Sequence, residues 1–292
     1  HDKTLAKEEL IKGVKVYRVP SLSQISRSQL SPLFVFKAGR LIKEAEAIIV
    51  YFPLAEIVLI ALVAKIFRKK LFLVHNGDLV LPQGFVNRLL EKIFYLTTSW
   101  AIGLADKVIV LTEDYSEKSP LLSKFKNKWE VILAPCAIGR PSSKDKLDFK
   151  KKNKLTNKKL IGFCGRFVEE KGVDFLLEAI PSVVKEIPNA HFIFAGEYKV
   201  SYESYWQKIQ PLIKKYQKQI TLLGLIDDRK KLGAFYSCLE VFVLPSRTDC
   251  FPVVQVEAML SGTPVVCADI PGARWVVRHT GMGLLAKPRD PQ

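Results

Sequence analysis

At 292 residues, with 48% apolar and 10% aromatic side chains, the chain is long enough for about two domains with real cores, which excludes disordered, collagen-like and disulfide-stapled classes. Forty-five Lys and Arg against 29 Asp and Glu leave a net charge of +16. The excess is spread, with 24 basic and 15 acidic side chains in residues 1–150 and 21 and 14 in 151–292, unlike a nucleic-acid-binding tail; no nucleic-acid partner is expected.

Apolar, β-branched runs of five or six residues alternate with stretches of helical length, the pattern that builds parallel sheets and predicts an α/β fold. The first half predicts strands at 14–19, 47–52, 71–75, 108–112 and 131–134, and helices near 33–43, 54–68, 85–104 and 114–125. The stretch 47–67 is as long as a membrane-spanning helix, but Pro53 and Glu56 near its centre favour a strand, a turn and a helix. That helix, 54–68, is apolar nearly all round, so it is expected to be buried or to touch lipid on one side. Residues 144–159 carry eight Lys against two Asp with little to bury, which reads as a solvated linker. The second half predicts strands at 160–164, 191–195, 220–223, 241–244, 264–267 and 283–286, with helices near 173–186, 202–218, 229–238, 255–260 and 273–279. Domains are therefore expected at 1–140 and 160–292, joined by 141–159.

Five cysteines, Cys136, Cys164, Cys238, Cys250 and Cys267, are an odd number without C-x-x-C spacing and are expected as free thiols of a cytoplasmic protein. His1, His75, His191 and His279 do not fall at metal-ligand spacing, so neither a metal nor a cofactor is expected. The G-x-G-x-x-G, G-x-x-x-x-G-K-[ST], G-x-S-x-G and H-E-x-x-H patterns are absent.

Ligands of open parallel sheets bind beyond the carboxyl ends of strands, which directs attention to four segments. Gly165-Arg166 follows one predicted strand and Lys171-Gly172 precedes a helix. Two cations there suit a diphosphate, each offering a gross attraction of about 4 kcal/mol at about 4 Å and an effective dielectric near 20. A helix dipole adds only roughly 0.3 to 2 kcal/mol, so the side chains should dominate; the alternative is ordinary surface charge at a turn. The run 244–259 places Asp249 in a loop and Glu257 on an otherwise apolar helix, and two carboxylates beside a diphosphate clamp suit the vicinal hydroxyls of a nucleotide sugar. Ser261-Gly262-Thr263-Pro264 reads as helix-to-strand connection, and His75-Asn76-Gly77-Asp78 as a strand end whose histidine is either scaffold or cleft-facing.

Together these segments resemble the nucleotide-sugar-dependent glycosyltransferases of family 4, also called group 1, most strongly over 160–288. The resemblance implies the GT-B fold, two Rossmann-like parallel-sheet domains facing a cleft. Both are expected to be incomplete here, because the chain starts just before Gly13-Val14 and lacks the family's opening strand with its Gly-rich loop and its closing helices. By the same resemblance Arg166 and Lys171 hold the donor diphosphate beside Gly165. Asp249 binds the transferred sugar with help from backbone amides near Phe251 and Val253, Glu257 binds the ribose, and His75 contacts the transferred sugar or acceptor. Asp249 is one methylene shorter than the family's usual Glu, and Pro252 replaces a common Gly and removes a donor. The expected function is a retaining transfer of a hexose to the hydroxyl of a glycan or lipid-linked acceptor, in the cytoplasm, with peripheral contact at the inner membrane face if the acceptor is a lipid. The alternatives are a catalytically impaired nucleotide-sugar-binding module and a basic polyanion binder.

Overall fold

The computed structural model describes residues 5–20, 23–25, 28–79 and 84–292, and the chain divides into two units between Ile132 and Leu133. The first unit opens with two antiparallel strand pairs, β1 (Glu8–Ile11) with β2 (Val14–Tyr17), which form a hairpin, and β3 (Ser23–Ile25) with β4 (Ser28–Leu30). Lys12 and Gly13, at φ +50° and +86°, form the two-residue turn of the β1–β2 hairpin, in the left-handed conformation such turns require. The strand expected at 14–19 is thus short and pairs backwards with β1 instead of entering a parallel sheet, because the turn reverses the chain just before it.

After α1 (Pro32–Glu44), capped by the Ser31 hydroxyl, the chain alternates as β5 (Ala47–Phe52), α2 (Ile57–Ile66), β6 (Lys70–His75), α3 (Phe85–Leu104), β7 (Lys107–Val110), α4 (Glu113–Lys118) and β8 (Trp129–Val131). The four strands β5-β6-β7-β8 lie parallel and in that order. Side chains alternate across the sheet: Val50 and Phe52 are 8% and 2% exposed, whereas Ile49 and Tyr51 are 60% and 63% exposed. The inner set packs with Leu71, Leu73, Val108 and Val110 against Ile57, Ile60 and Ala64 of α2 and Ala101 and Ile102 of α3. Glu56, the acid inside the apolar run, is buried and accepts the Ser31 N–H at 2.9 Å, tying the start of α1 to that of α2. The helix expected at 114–125 breaks at Pro120, where α4 has ended and a 3-10 segment, Leu122–Lys128, follows. Among the described residues no helix is long and apolar enough to cross a membrane.

The second unit is a doubly wound sheet. The segment read as a solvated linker is folded: α5 (Ser143–Lys152) starts at a capping box in which Ser142 and Asp145 satisfy each other's backbone, and Leu155 just after it is 1% exposed. Phe149 packs on Phe235 of the second unit while Lys144, Lys151 and Lys152 stay exposed. The elements then run β9 (Lys159–Cys164), α6 (Val173–Glu186), β10 (Ala190–Ala195), α7 (Tyr205–Lys215), β11 (Ile220–Gly224), α8 (Arg229–Ser237), β12 (Val241–Leu244), α9 (Val253–Leu260), β13 (Val265–Ala268), α10 (Ala273–Thr280) and β14 (Gly283–Ala286). All six strands are parallel, in the order β11-β10-β9-β12-β13-β14. Every residue of β10 is buried, as expected for a strand covered on both faces. The order reverses between β9 and β12, and a ligand of such a sheet sits beyond the carboxyl ends of the strands at that reversal.

Candidate functional site

The carboxyl ends of β9 and β12 lead into the two loops singled out from the sequence. From β9 the chain enters Gly165, whose N–H donates to Ala195 O at 3.0 Å. A Cβ on Gly196, at φ +130°, would lie 2.0 Å from Gly165 O, so the loop after β10 passes in direct contact with this turn. Arg166 is half-exposed; its guanidinium donates to the Tyr202 hydroxyl and stands 3.6 Å from the Glu170 carboxylate. Lys171 closes a 3-10 turn, Glu169–Lys171, and Gly172 follows in the left-handed conformation at φ +65°. A Cβ on Gly172 would come within 2.1 Å of Pro245 O, so a glycine is required where the loop after β12 lies on the start of α6.

That second loop is bound down by Arg247. Its backbone N–H donates to Glu170 O at 2.7 Å, its guanidinium to Glu169 O at 2.6 Å, and its fork to both oxygens of Asp174 at 3.0 and 2.6 Å. The guanidinium also lies 4.2 Å from the Phe175 ring centre, and the Tyr205 hydroxyl donates to Asp174 at 2.6 Å. Burial pushes the Asp174 carboxyl up, but the hydrogen bonds from Arg247 and Tyr205 prevail and hold it below the usual carboxylate range. None of Arg247, Asp174 and Tyr205 was selected from the sequence, since the partners are 31 and 73 residues apart.

Two residues further along the same loop, Asp249 meets Lys171: Nζ stands 2.5 Å from Oδ2, with the two side chains 20% and 9% exposed. The backbone of Asp249 also bridges to Gly272. Phe251 is buried against Trp275, leaving its backbone rather than its ring for a ligand, and Val253 opens α9 after Pro252. One turn into α9, Glu257 accepts a hydrogen bond from the Tyr236 hydroxyl at 2.9 Å. Burial pushes the Glu257 carboxyl up, opposed by this hydrogen bond and by Arg229. The Cys164 thiol, at the end of β9 beside Gly165, sits against the same hydroxyl. Burial pushes Cys164 up to about 11 and Cys250 up to about 12, so both stay protonated at neutral pH and neither serves as a nucleophile.

The structure thus brings Lys171 and Asp249 into contact and links Glu257, through Tyr236, to the strand end that carries Gly165 and Arg166. His75 belongs to the first unit and is only 2% exposed, enclosed by the Phe52 and Tyr115 rings with Nε2 3.3 Å from Asp78. Ser119 in turn donates to that carboxylate at 2.7 Å. Among the described residues no group of three or more His, Cys, Asp and Glu is placed to hold a metal ion. A cavity of about 560 Å³ lies elsewhere on the second unit, between α6 and the sheet, and is lined by apolar groups such as Phe175, Val243 and Val266 and by none of the site residues. Chemically, Arg166 and Lys171 are groups able to meet an anion, and Asp249 and Glu257 are groups able to accept from hydroxyls.

Residues 158–292 match the family described as "Glycosyl transferases group 1". The phosphatidyl-myo-inositol mannosyltransferase of Mycobacterium tuberculosis is 29% identical over 177 residues, which is 58% of this chain and 45% of that protein. The chain spans about half the length of the relatives it matches. Among solved structures, the sucrose-phosphate synthase of Thermosynechococcus elongatus superposes with a TM-score of 0.75 at 22% identity, over 99% of this chain and 74% of that one. The Anabaena HepE protein in complex with UDP-glucose gives 0.72 at 21% identity, over 90% of this chain and 70% of that one. These likenesses establish the fold as the GT-B type of α/β protein, as expected.

Proposed function

We propose that the protein, whose residues 158–292 match the group 1 glycosyl transferases, is a retaining hexosyltransferase that moves a sugar from a nucleotide sugar to the hydroxyl of a glycan or lipid-linked acceptor. The observation that carries this reading is the Lys171–Asp249 contact at the sheet reversal, which sets a cation for phosphate and an acid for a sugar hydroxyl side by side. Departure of the nucleoside diphosphate builds negative charge, and Arg166 and Lys171 receive it, a role that in other enzymes falls to a metal ion. Asp249 and the backbone near Phe251 and Val253 hold the transferred sugar, and Glu257 accepts from the ribose. The burial of His75 supports a role in shaping the end of β6, through Asp78, over direct contact with the sugar. HepE binds UDP-glucose, which supports a nucleotide-sugar donor for this chain as well.

Arg166→Ala and Lys171→Ala are each expected to lower turnover by roughly tenfold or more. Wild-type rates in both variants would remove these residues from the mechanism. Nucleotide-sugar binding without any transfer would replace this reading by that of an impaired donor-binding module.

A peripheral contact at the cytoplasmic membrane face, serving a lipid-linked acceptor, is favoured by one specific observation. Leu59, Leu62 and Ile66 of α2 and Phe85, Leu89, Ile93, Leu96 and Trp100 of α3 are all 45% exposed or more, and Lys65, Arg88 and Lys92 share those helices. Sedimentation with anionic vesicles but not neutral ones supports that contact; equal partitioning with both rejects it.

A further inference from the structure

We infer that Tyr236 is the positioning residue of the hydroxyl-reading carboxylate: it engages one oxygen of Glu257 so that the other is presented, ionised and fixed, to the vicinal diol of a ribose. The inference rests on the donor-binding reading above and adds a residue to it.

Tyr236 lies in the last turn of α8 and is fully buried. Its ring packs edge-on against Phe235 at 5.1 Å and Phe242 at 5.5 Å, and its carbonyl accepts the Thr263 hydroxyl at 2.6 Å. A phenylalanine would fill the same space, so packing does not explain the oxygen. A phenolic hydroxyl buried here without a partner is costly, and its partner is Glu257 Oε2 at 2.9 Å. The direction of the hydrogen bond follows from its acceptors: a carboxylate accepts strongly, whereas the Cys164 thiol beside the same hydroxyl is at most a weak acceptor, so Tyr236 donates to Glu257.

Two consequences follow for the carboxylate. A glutamate side chain turns freely about its last bond, and one fixed hydrogen bond removes that freedom before a ligand arrives. A half-buried carboxylate without such a donor also drifts toward the neutral acid, which both donates and accepts and no longer discriminates a diol.

The test is a set of calorimetric titrations of wild type and Tyr236→Phe, using whichever of UDP, GDP and ADP binds the wild type, and its 2′,3′-dideoxy analogue. Tyr236→Phe is expected to weaken the ribose nucleotide about tenfold and to leave the already weaker dideoxy analogue unchanged. In a Glu257→Gln background the same substitution should cost nothing further. Equal weakening of both ligands, or no weakening, or an undiminished effect in the Glu257→Gln background would each overturn the role of Tyr236. A wild type that binds ribose and dideoxyribose nucleotides alike, or binds none of the three, would instead overturn the ribose reading beneath it.

Discussion

The ends of β6 and β12 carry comparably polar sequences, His75-Asn76-Gly77-Asp78 and Ser246-Arg247-Thr248-Asp249, and the fold treats them differently. At β6 the polar groups face one another: His75 is enclosed by rings and set against Asp78, whose carboxylate takes the Ser119 hydroxyl and whose N–H donates to the Tyr115 hydroxyl at 3.1 Å. At β12 one cation, Arg247, is bound in a fork and over a ring, while the side chain of the acid two residues on meets the end of a lysine. The sheets differ in the same sense, since the order β5-β6-β7-β8 runs without reversal and β9 and β12 flank one. A strand end supplies candidates; a reversal, together with groups whose partners can be exchanged, supplies a site.

Breaking the β12 end should cost most. Gly172→Ala puts a Cβ onto Pro245 O in a left-handed backbone, and is expected to destabilise the second unit by about 4 kcal/mol in urea unfolding. Arg247→Met leaves the largely buried Asp174 without its fork and is expected to cost about 3 kcal/mol in the same assay, with nucleotide affinity falling alongside. A stable variant with unchanged affinity would mean that the loop needs no clamp. At the β6 end, Ser119→Ala should cost only about 1 kcal/mol and leave nucleotide affinity untouched, which sharpens the contrast. The smallest effect is on pH dependence. Asp174 titrates below its unfolded value, so its contribution is complete above about pH 4 and fades as the pH falls through the lowered value. The stability gap between wild type and Arg247→Met, measured at neutral pH, should therefore narrow in acid.

How much of this was readable in the chain depended on the range of the interactions. Helices α3 and α6 fall at 85–104 and 173–186 as the alternation of apolar runs with stretches of helical length predicts, and Lys171 and Asp249 were named because one directly precedes a helix and the other lies in the loop after a strand. The hairpin turn at Lys12-Gly13 and the capping box of α5 were passed over because charge and short length masked them. Arg247 and Tyr236 escaped for another reason. Their partners are 73 and 21 residues away, and Tyr236 lies beside Phe235 where an aromatic pair reads as ordinary core. A chain read residue by residue shows where charge is placed, whereas which charge closes on which depends on strand order.

The close approach of Gly172 to Pro245 has a practical consequence for anyone wishing to change what this protein accepts. The turn that ends at Lys171 and the loop that carries Asp249 touch backbone to backbone and share Arg247 as a rivet, so neither can be re-cut alone. A transplant aimed at the proposed donor preference would have to carry 165–174 and 245–252 together, as one cassette.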